Sequence, residues 1–193
     1  GTLSVNLDTN LYLVTDDLGN AMTEPHTGDQ AYIMDFTPPS VSSITRSDPL
    51  QRDTNATQVV FAVVFTEPVY GLAADHFSIV ATGEQVGAGI ANVVGSGGDT
   101  VWSVAVDTAL GEGTLTIHLD QDIGSVTDEA TNGLSAAYTA SEDYHVDRVA
   151  PKVTSIVNEM GSPTQNTTVE FTVTFDKPVL NFADAEDLVV RVD

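Results

Sequence analysis

Short acidic and amide side chains return at one spacing through this chain, and oxygen ligation is the chemistry such a set offers. Asp8, Asp16, Asn20 and Asp35 recur as Asp120, Asp128, Asn132 and Asp147, each 112 residues further on. Carboxylate oxygens suit hard cations, and Ca2+ in particular takes six to eight oxygens in irregular geometry. Asp35 and Asp147 each close a strand-like segment just before a proline-containing junction, FTPP or RVAP, where proline fixes φ and stiffens the chain. A carboxylate at such a hinge can join loop oxygens of an adjoining domain around Ca2+ and turn a flexible string of domains into a rod. Asp128 and Asn132 lie in VTDEATNG, matched by VTDDLGNA around Asp16, and Asx side chains in such loops cap turns by bonding the backbone. The chain has no dense EF-hand or nonapeptide calcium motif that would enlist Asp120, Asp122 and Asp128 on spacing alone.

Catalytic constellations are not expected. At the repeat spacing His26, His118 and His145 fall opposite Tyr138, Asn6 and Ile33, so these histidines are not part of a recurring plan, and the reading is of a non-enzyme. Cysteine is absent, which removes disulfides and thiolate metal sites. With 28 acidic residues against 6 Lys plus Arg, the formal net charge is -22, a surface that repels nucleic acid and anionic lipid headgroups. The longest apolar runs, such as Val59 to Phe65, are too short to span a bilayer, so no membrane insertion is expected of this segment. Asn55-Ala-Thr57 and Asn166-Thr-Thr168 are glycosylation sequons. The stretch 36–147 contains no lysine, which excludes a Lys–Asn isopeptide staple within it.

The elements that must position these residues repeat as well. GTLSVNLD at Gly1 pairs with GTLTIHLD at Gly113, and YIMDFTPPSVSSI at Tyr32 with YHVDRVAPKVTSI at Tyr144. After a deletion of two residues, Phe61, Val63, Phe65 and Pro68 fall on Phe171, Val173, Phe175 and Pro178. The phase predicts the C-terminal part of one repeat over 1–35, a complete repeat over 36–147, and the N-terminal part of another over 148–193. Because the chain starts at Gly1, a longer parent is expected. TTVEFTVTFDK alternates apolar and polar residues, a period of two that predicts a strand and assigns Val59, Phe61, Val63 and Phe65 to the buried face of TQVVFAVVFTE. Leu115, Ile117 and Leu119 form a second inward row, and Trp102, Val104 and Val106 a third. Further strands are predicted at 41–46, 76–81, 91–94 and 143–146, with a hairpin turn at GSGGD from Gly95. About seven strands and no helical period predict an all-β fold, an antiparallel Ig-like β-sandwich in tandem array, with a jelly roll or small barrel as the alternative.

With these residues in view, the chain resembles the tandem bacterial Ig-like repeats of large extracellular adhesins and surface filaments. The junctions VDRVAPKV and MDFTPPSV, the strand ends VTFDKPV and VVFTEPV, and the Asp-x-x-x-Asn loop carry the resemblance. It implies an extracellular or cell-surface structural module, with calcium at domain junctions involving Asp35 and Asp147 and, as further candidates, Asp16 and Asp128. The family often has glycine before the loop Asn, as DDLGN does here and DEATN does not. The expected partners are neighbouring repeats, or other copies joined by strand complementation. The alternative is a carbohydrate- or receptor-binding module of an adhesin or secreted enzyme.

Overall fold

The computed structural model describes residues 1–7, 13–28 and 30–182, so Asp8 of the recurring set lies outside the described residues. The chain divides into two units, Gly1–Asp147 and Arg148–Asp193. The described residues form strands and short 3-10 turns, with no α-helix among them.

Among its described residues the first unit contains ten strands: β1 (Thr2–Ser4), β2 (Ala31–Ile33), β3 (Val41–Asp48), β4 (Asp53–Thr54), β5 (Gln58–Val69), β6 (Phe77–Ala81), β7 (Gly89–Val94), β8 (Asp99–Asp107), β9 (Glu112–Leu119) and β10 (Tyr144–Asp147). Two four-stranded sheets, ordered β3-β5-β8-β7 and β4-β10-β9-β6, make an antiparallel β-sandwich. With β3, β5, β6, β7, β8, β9 and β10 read as strands A to G, the sheets are ABED and CFG, the immunoglobulin arrangement. The added β4 is two residues long and pairs parallel with β10, His145 opposite Asp53 and Val146 opposite Thr54.

Alternation builds the core. Val59, Phe61, Val63 and Phe65 of β5 face Leu115, Ile117 and Leu119 of β9 and Tyr144 and Val146 of β10 within one buried cluster. Trp102, Val104 and Val106 of β8 complete it, and the indole N–H of Trp102 donates to the Asp99 carbonyl at 3.2 Å. The rings of Phe61 and Tyr144 meet edge to face, centroids 5.1 Å apart. The Tyr144 hydroxyl lies 2.8 Å from the Pro49 carbonyl and 2.9 Å from that of Val60, sharing its proton between them. A buried amide plugs one end: Gln85, fully enclosed, accepts from the Ala109 N–H and donates to the carbonyls of Ala109 and Gly111. In the turn joining β7 to β8, Gly98 adopts φ +95°, a conformation that admits glycine at little cost.

The second unit contains β11 (Val153–Asn158) and β12 (Phe171–Phe175), an antiparallel pair. Val153 lies opposite Phe175, Ile156 opposite Val173 and Asn158 opposite Phe171, with a register shift after Val153. In β3 and β5, Val41 lies opposite Phe65, Ile44 opposite Val63 and Arg46 opposite Phe61, with a shift after Val41. At the repeat spacing these are one ladder, irregularity included. Likewise Leu3 lies opposite Tyr32 in β1 and β2 as Leu115 lies opposite Tyr144 in β9 and β10. The surroundings differ: Tyr144 is 0 % exposed and Tyr32 is 77 % exposed.

Removing the ring of Phe61 leaves a cavity where both sheets meet. Phe61→Ala is expected to cost about 3–5 kcal/mol in urea unfolding followed by far-UV circular dichroism. A loss under 1 kcal/mol would mean that the two sheets do not share this core.

Candidate metal centre

Strand β5 runs past its ladder partners and carries a carboxylate to one end of the sandwich. The Thr66 N–H donates to the Ser40 carbonyl at 2.9 Å, and the Ser40 N–H donates to Thr66 Oγ1 at 3.0 Å, fixing the end of β5 on the start of β3. The pairing of β5 with β8 shifts register between Val64 and Val69, which accommodates Pro68, a residue without an N–H to give the ladder. Glu67 sits in this irregular stretch and is half-buried.

The loop after β9 meets it. Tyr70 and Thr127 exchange backbone hydrogen bonds of 2.7 and 3.2 Å, docking the loop against the chain beyond β5. Within the loop, Asp128 Oδ1 accepts the Asn132 N–H at 2.8 Å and Oδ2 accepts the Asn132 side-chain amide, also at 2.8 Å. The same amide reaches the Asp35 carbonyl at 3.2 Å, so the loop grips the segment leading into β3. Asp35 Oδ1 in turn accepts the Thr37 N–H at 3.0 Å. Three elements thereby bring one carboxylate oxygen each from Asp35, Glu67 and Asp128 within 4.8 Å of one another. Asp35 is exposed and Asp128 is buried, 5 % exposed.

Their electrostatics diverge. Burial, reinforced by the charges of Asp35 and Asp128, pushes the Glu67 carboxyl above its usual range. The Asn132 side-chain amide, with backbone N–H groups of the loop, holds Asp128 below it. All-oxygen donors select a hard cation, and oxygens at this spacing lie within reach of one ion with Ca–O contacts of about 2.3–2.6 Å. Backbone carbonyls and water would supply the remaining ligands.

Of the four metal candidates, Asp35 and Asp128 are brought together and Asp16 and Asp147 are not. Among the described residues, Asp16 belongs to no metal-competent group and instead reproduces the loop of Asp128: its carboxylate accepts the Asn20 N–H at 2.8 Å and the Asn20 amide at 2.7 Å. Asp147 lies on β10 opposite Glu112, likewise in no such group. The glycine missing from DEATN does not alter the loop, because Thr131 takes up φ +69° where Gly19 has φ +87°. Glu67 is the member that comparison of the copies hides, since VVFTEPV becomes VTFDKPV and its counterpart is Lys177.

One Ser–His pair invites a catalytic reading, and its polarity opposes it. His76 Nδ1 accepts the Ala73 N–H at 2.9 Å, which leaves the ring proton on Nε2. Nε2 then donates to Ser125 Oγ at 2.7 Å, whereas a general base must offer that hydroxyl a lone pair.

No family profile matches the chain, and no curated protein matches it. Among solved structures it is similar to the N-terminal part of the bacterial S-layer protein SbsC, at 20% sequence identity and a TM-score of 0.38. That match takes in 64% of this chain and 26% of the other, so the chain spans about a quarter of the length of the structure it matches.

Two substitutions probe this corner. Because the folded Glu67 holds its proton more tightly than the unfolded residue, it favours the fold at acid pH, and this contribution is lost as pH rises through the raised range. In chelator, Glu67→Gln is therefore expected to raise the melting temperature at pH 7, with the gain shrinking toward pH 4; a constant difference would show no repulsion at Glu67. Thr131→Gly relieves a β-branched residue at positive φ and is expected to add about 0.5–1 kcal/mol in chemical denaturation.

Proposed function

We propose that this chain is a non-enzymatic structural repeat of a large extracellular surface protein, adhesin or filament, whose Ig-like sandwich takes Ca2+ where the preceding segment enters it. The observation that carries this reading is the meeting of Asp35, Glu67 and Asp128 at the entry to β3. Asp35 belongs to the segment before the sandwich, Glu67 to its second long strand and Asp128 to a loop at the same end, so one ion would tie that segment to the folded body. Three converging carboxylates cost stability when nothing positive stands among them, and a divalent cation offsets that cost.

The repeat supports an extending role. The same ladders and the same Asp–Asn loop occur twice in one chain, and identical modules placed in series add fixed increments of length. A net charge of -22 keeps such a protein soluble when crowded at a surface. No helix among the described residues is long and apolar enough to cross a membrane. The one tryptophan is a core residue, 5 % exposed, which removes the aromatic most suited to a sugar platform.

Extracellular modules commonly bind Ca2+ at about 10⁻⁴ to 10⁻³ M, so 10 mM ion is expected to stabilise the fold by roughly 1–3 kcal/mol. Differential scanning calorimetry in Ca2+ and in EDTA measures this directly, with Glu67→Gln and Asp128→Asn expected to shrink the shift. Superimposable curves for the unsubstituted chain would rule out the calcium reading.

A further inference from the structure

Two faces of this chain are halves of a sandwich whose closed form is present in the same molecule. The ladder β1–β2 reproduces β9–β10, with Leu3 opposite Tyr32 where Leu115 lies opposite Tyr144. The ladder β11–β12 reproduces β3–β5, with Ile156 opposite Val173 where Ile44 lies opposite Val63. In the complete repeat these two kinds of ladder close on each other: Phe61 meets Tyr144 edge to face at 5.1 Å, and Ile44, Val63 and Leu115 belong to the same buried cluster. Their counterparts are open to solvent. Leu3 is 55 % exposed, Tyr32 77 %, Ile156 60 % and Phe171 59 %, against 1 % or less for Leu115, Tyr144, Ile44 and Phe61. An open apolar face alone does not say what covers it. Here the complete repeat says so, because it shows a β9–β10 face covered by a β3–β5 face, and the chain carries one open face of each kind.

We propose that β11–β12 of one copy packs on β1–β2 of a second copy, with Phe171 meeting Tyr32 as Phe61 meets Tyr144. The side chains match position by position. Leu3 and Tyr32 stand for Leu115 and Tyr144, Ile156 for Ile44, and Phe171, Val173 and Phe175 for Phe61, Val63 and Phe65, each identical in type. On the other side of the same strand identity is lost, since Val60, Ala62 and Val64 become Glu170, Thr172 and Thr174. The inward face is therefore the part of the ladder held constant, and none of its matched residues is a charge that burial would have to neutralise. Because the two faces differ, the contact is heterologous, and a chain joined at one face still presents the other. Counterparts of β6, β7 and β8 take no part in it, so the contact is smaller than the sandwich it imitates and is expected to be reversible. A longer chain would offer the same ladders to the same faces; between separate 193-residue chains a second copy supplies them. The inference goes beyond the calcium reading and does not rest on it.

The test is sedimentation velocity of the full chain from micromolar to submillimolar concentration, beside Y32D, F171D and their equimolar mixture. It is run in EDTA, which keeps the calcium reading out of the result, and in moderate salt, which screens the net charge of -22. Tyr32 and Phe171 are exposed within the single chain, so neither substitution reaches the core of the complete repeat, and the near-ultraviolet signal of Trp102 checks that the sandwich is folded. The mean mass of the unsubstituted chain is expected at least to double across the range. Each variant alone lacks one of the two faces and is expected to stay monomeric. Mixed, the intact β11–β12 of Y32D meets the intact β1–β2 of F171D, and the mean mass is expected to rise toward twice the monomer and stop there. An unsubstituted chain that stays monomeric overturns the proposal, as does a mixture no heavier than its components. Association kept by one variant and lost by the other would mean that a face meets its own copy, which overturns it too. Variants that associate alone as strongly as the unsubstituted chain would place the contact elsewhere and equally overturn it.

Discussion

Tyr144 stands where the two sheets of the sandwich are tied to each other, and most of what the molecule displays at its ends depends on that tie. Its ring meets Phe61 edge to face, while its hydroxyl reaches the carbonyls of Val60 in β5 and of Pro49 just beyond β3. One side chain thus joins the last strand of one sheet to β5 of the other and to the turn that follows β3. Arg46 lies over the same ring at 6.0 Å and donates to the Asp143 carbonyl at 2.8 Å, so the approach to β10 is held from outside as well. Aromatic contacts of this kind contribute beyond the area they bury, and their fixed geometry discriminates against slipped registers. On that frame the loop after β9 docks beyond the end of β5 through the Tyr70–Thr127 backbone pair, which is where the carboxylates of Glu67 and Asp128 meet.

Much of the sandwich was legible because its inward faces alternate so regularly. The second copy of β5 writes Glu170, Thr172 and Thr174 where the first has Val60, Ala62 and Val64, and that contrast alone separates inside from outside. The buried set follows it, with Val59, Phe61 and Val63 all fully enclosed. Strand β4 was not legible, since two residues hold no period and its pairing with β10 is settled by contacts from 91 to 92 positions away. The candidate site was half legible. Recurrence picked out Asp35 and Asp128, which the fold gathers, together with Asp16 and Asp147, which it does not. Recurrence also concealed Glu67, because a position whose charge reverses between copies leaves no common residue to notice. The glycine absent from DEATN is made good locally: with Asp128 bonded twice to Asn132, Thr131 is carried into the left-handed region.

The acidic corner shows how one side chain serves structure and electrostatics together. Asn132 satisfies both oxygens of Asp128 and still offers a proton to the Asp35 carbonyl, so the amide that shapes the loop also holds the entering segment beside it. Backbone N–H groups of Ala130 and Thr131 add to the Asn132 bonds, so the Asp128 carboxylate is first of all the centre on which the loop folds.

The parallel pairing of β4 with β10 also ties the two sheets at their margin. Between β3 and β5, both strands of one sheet, the chain crosses to the edge of the other as β4. There β10 is bound alongside it by the His145 N–H to the Arg52 carbonyl at 2.8 Å, with Arg52 forked onto Asp143 at 2.6 and 3.1 Å. Two residues of strand thus staple the open side of the sandwich, where the layers would otherwise be joined by side chains alone.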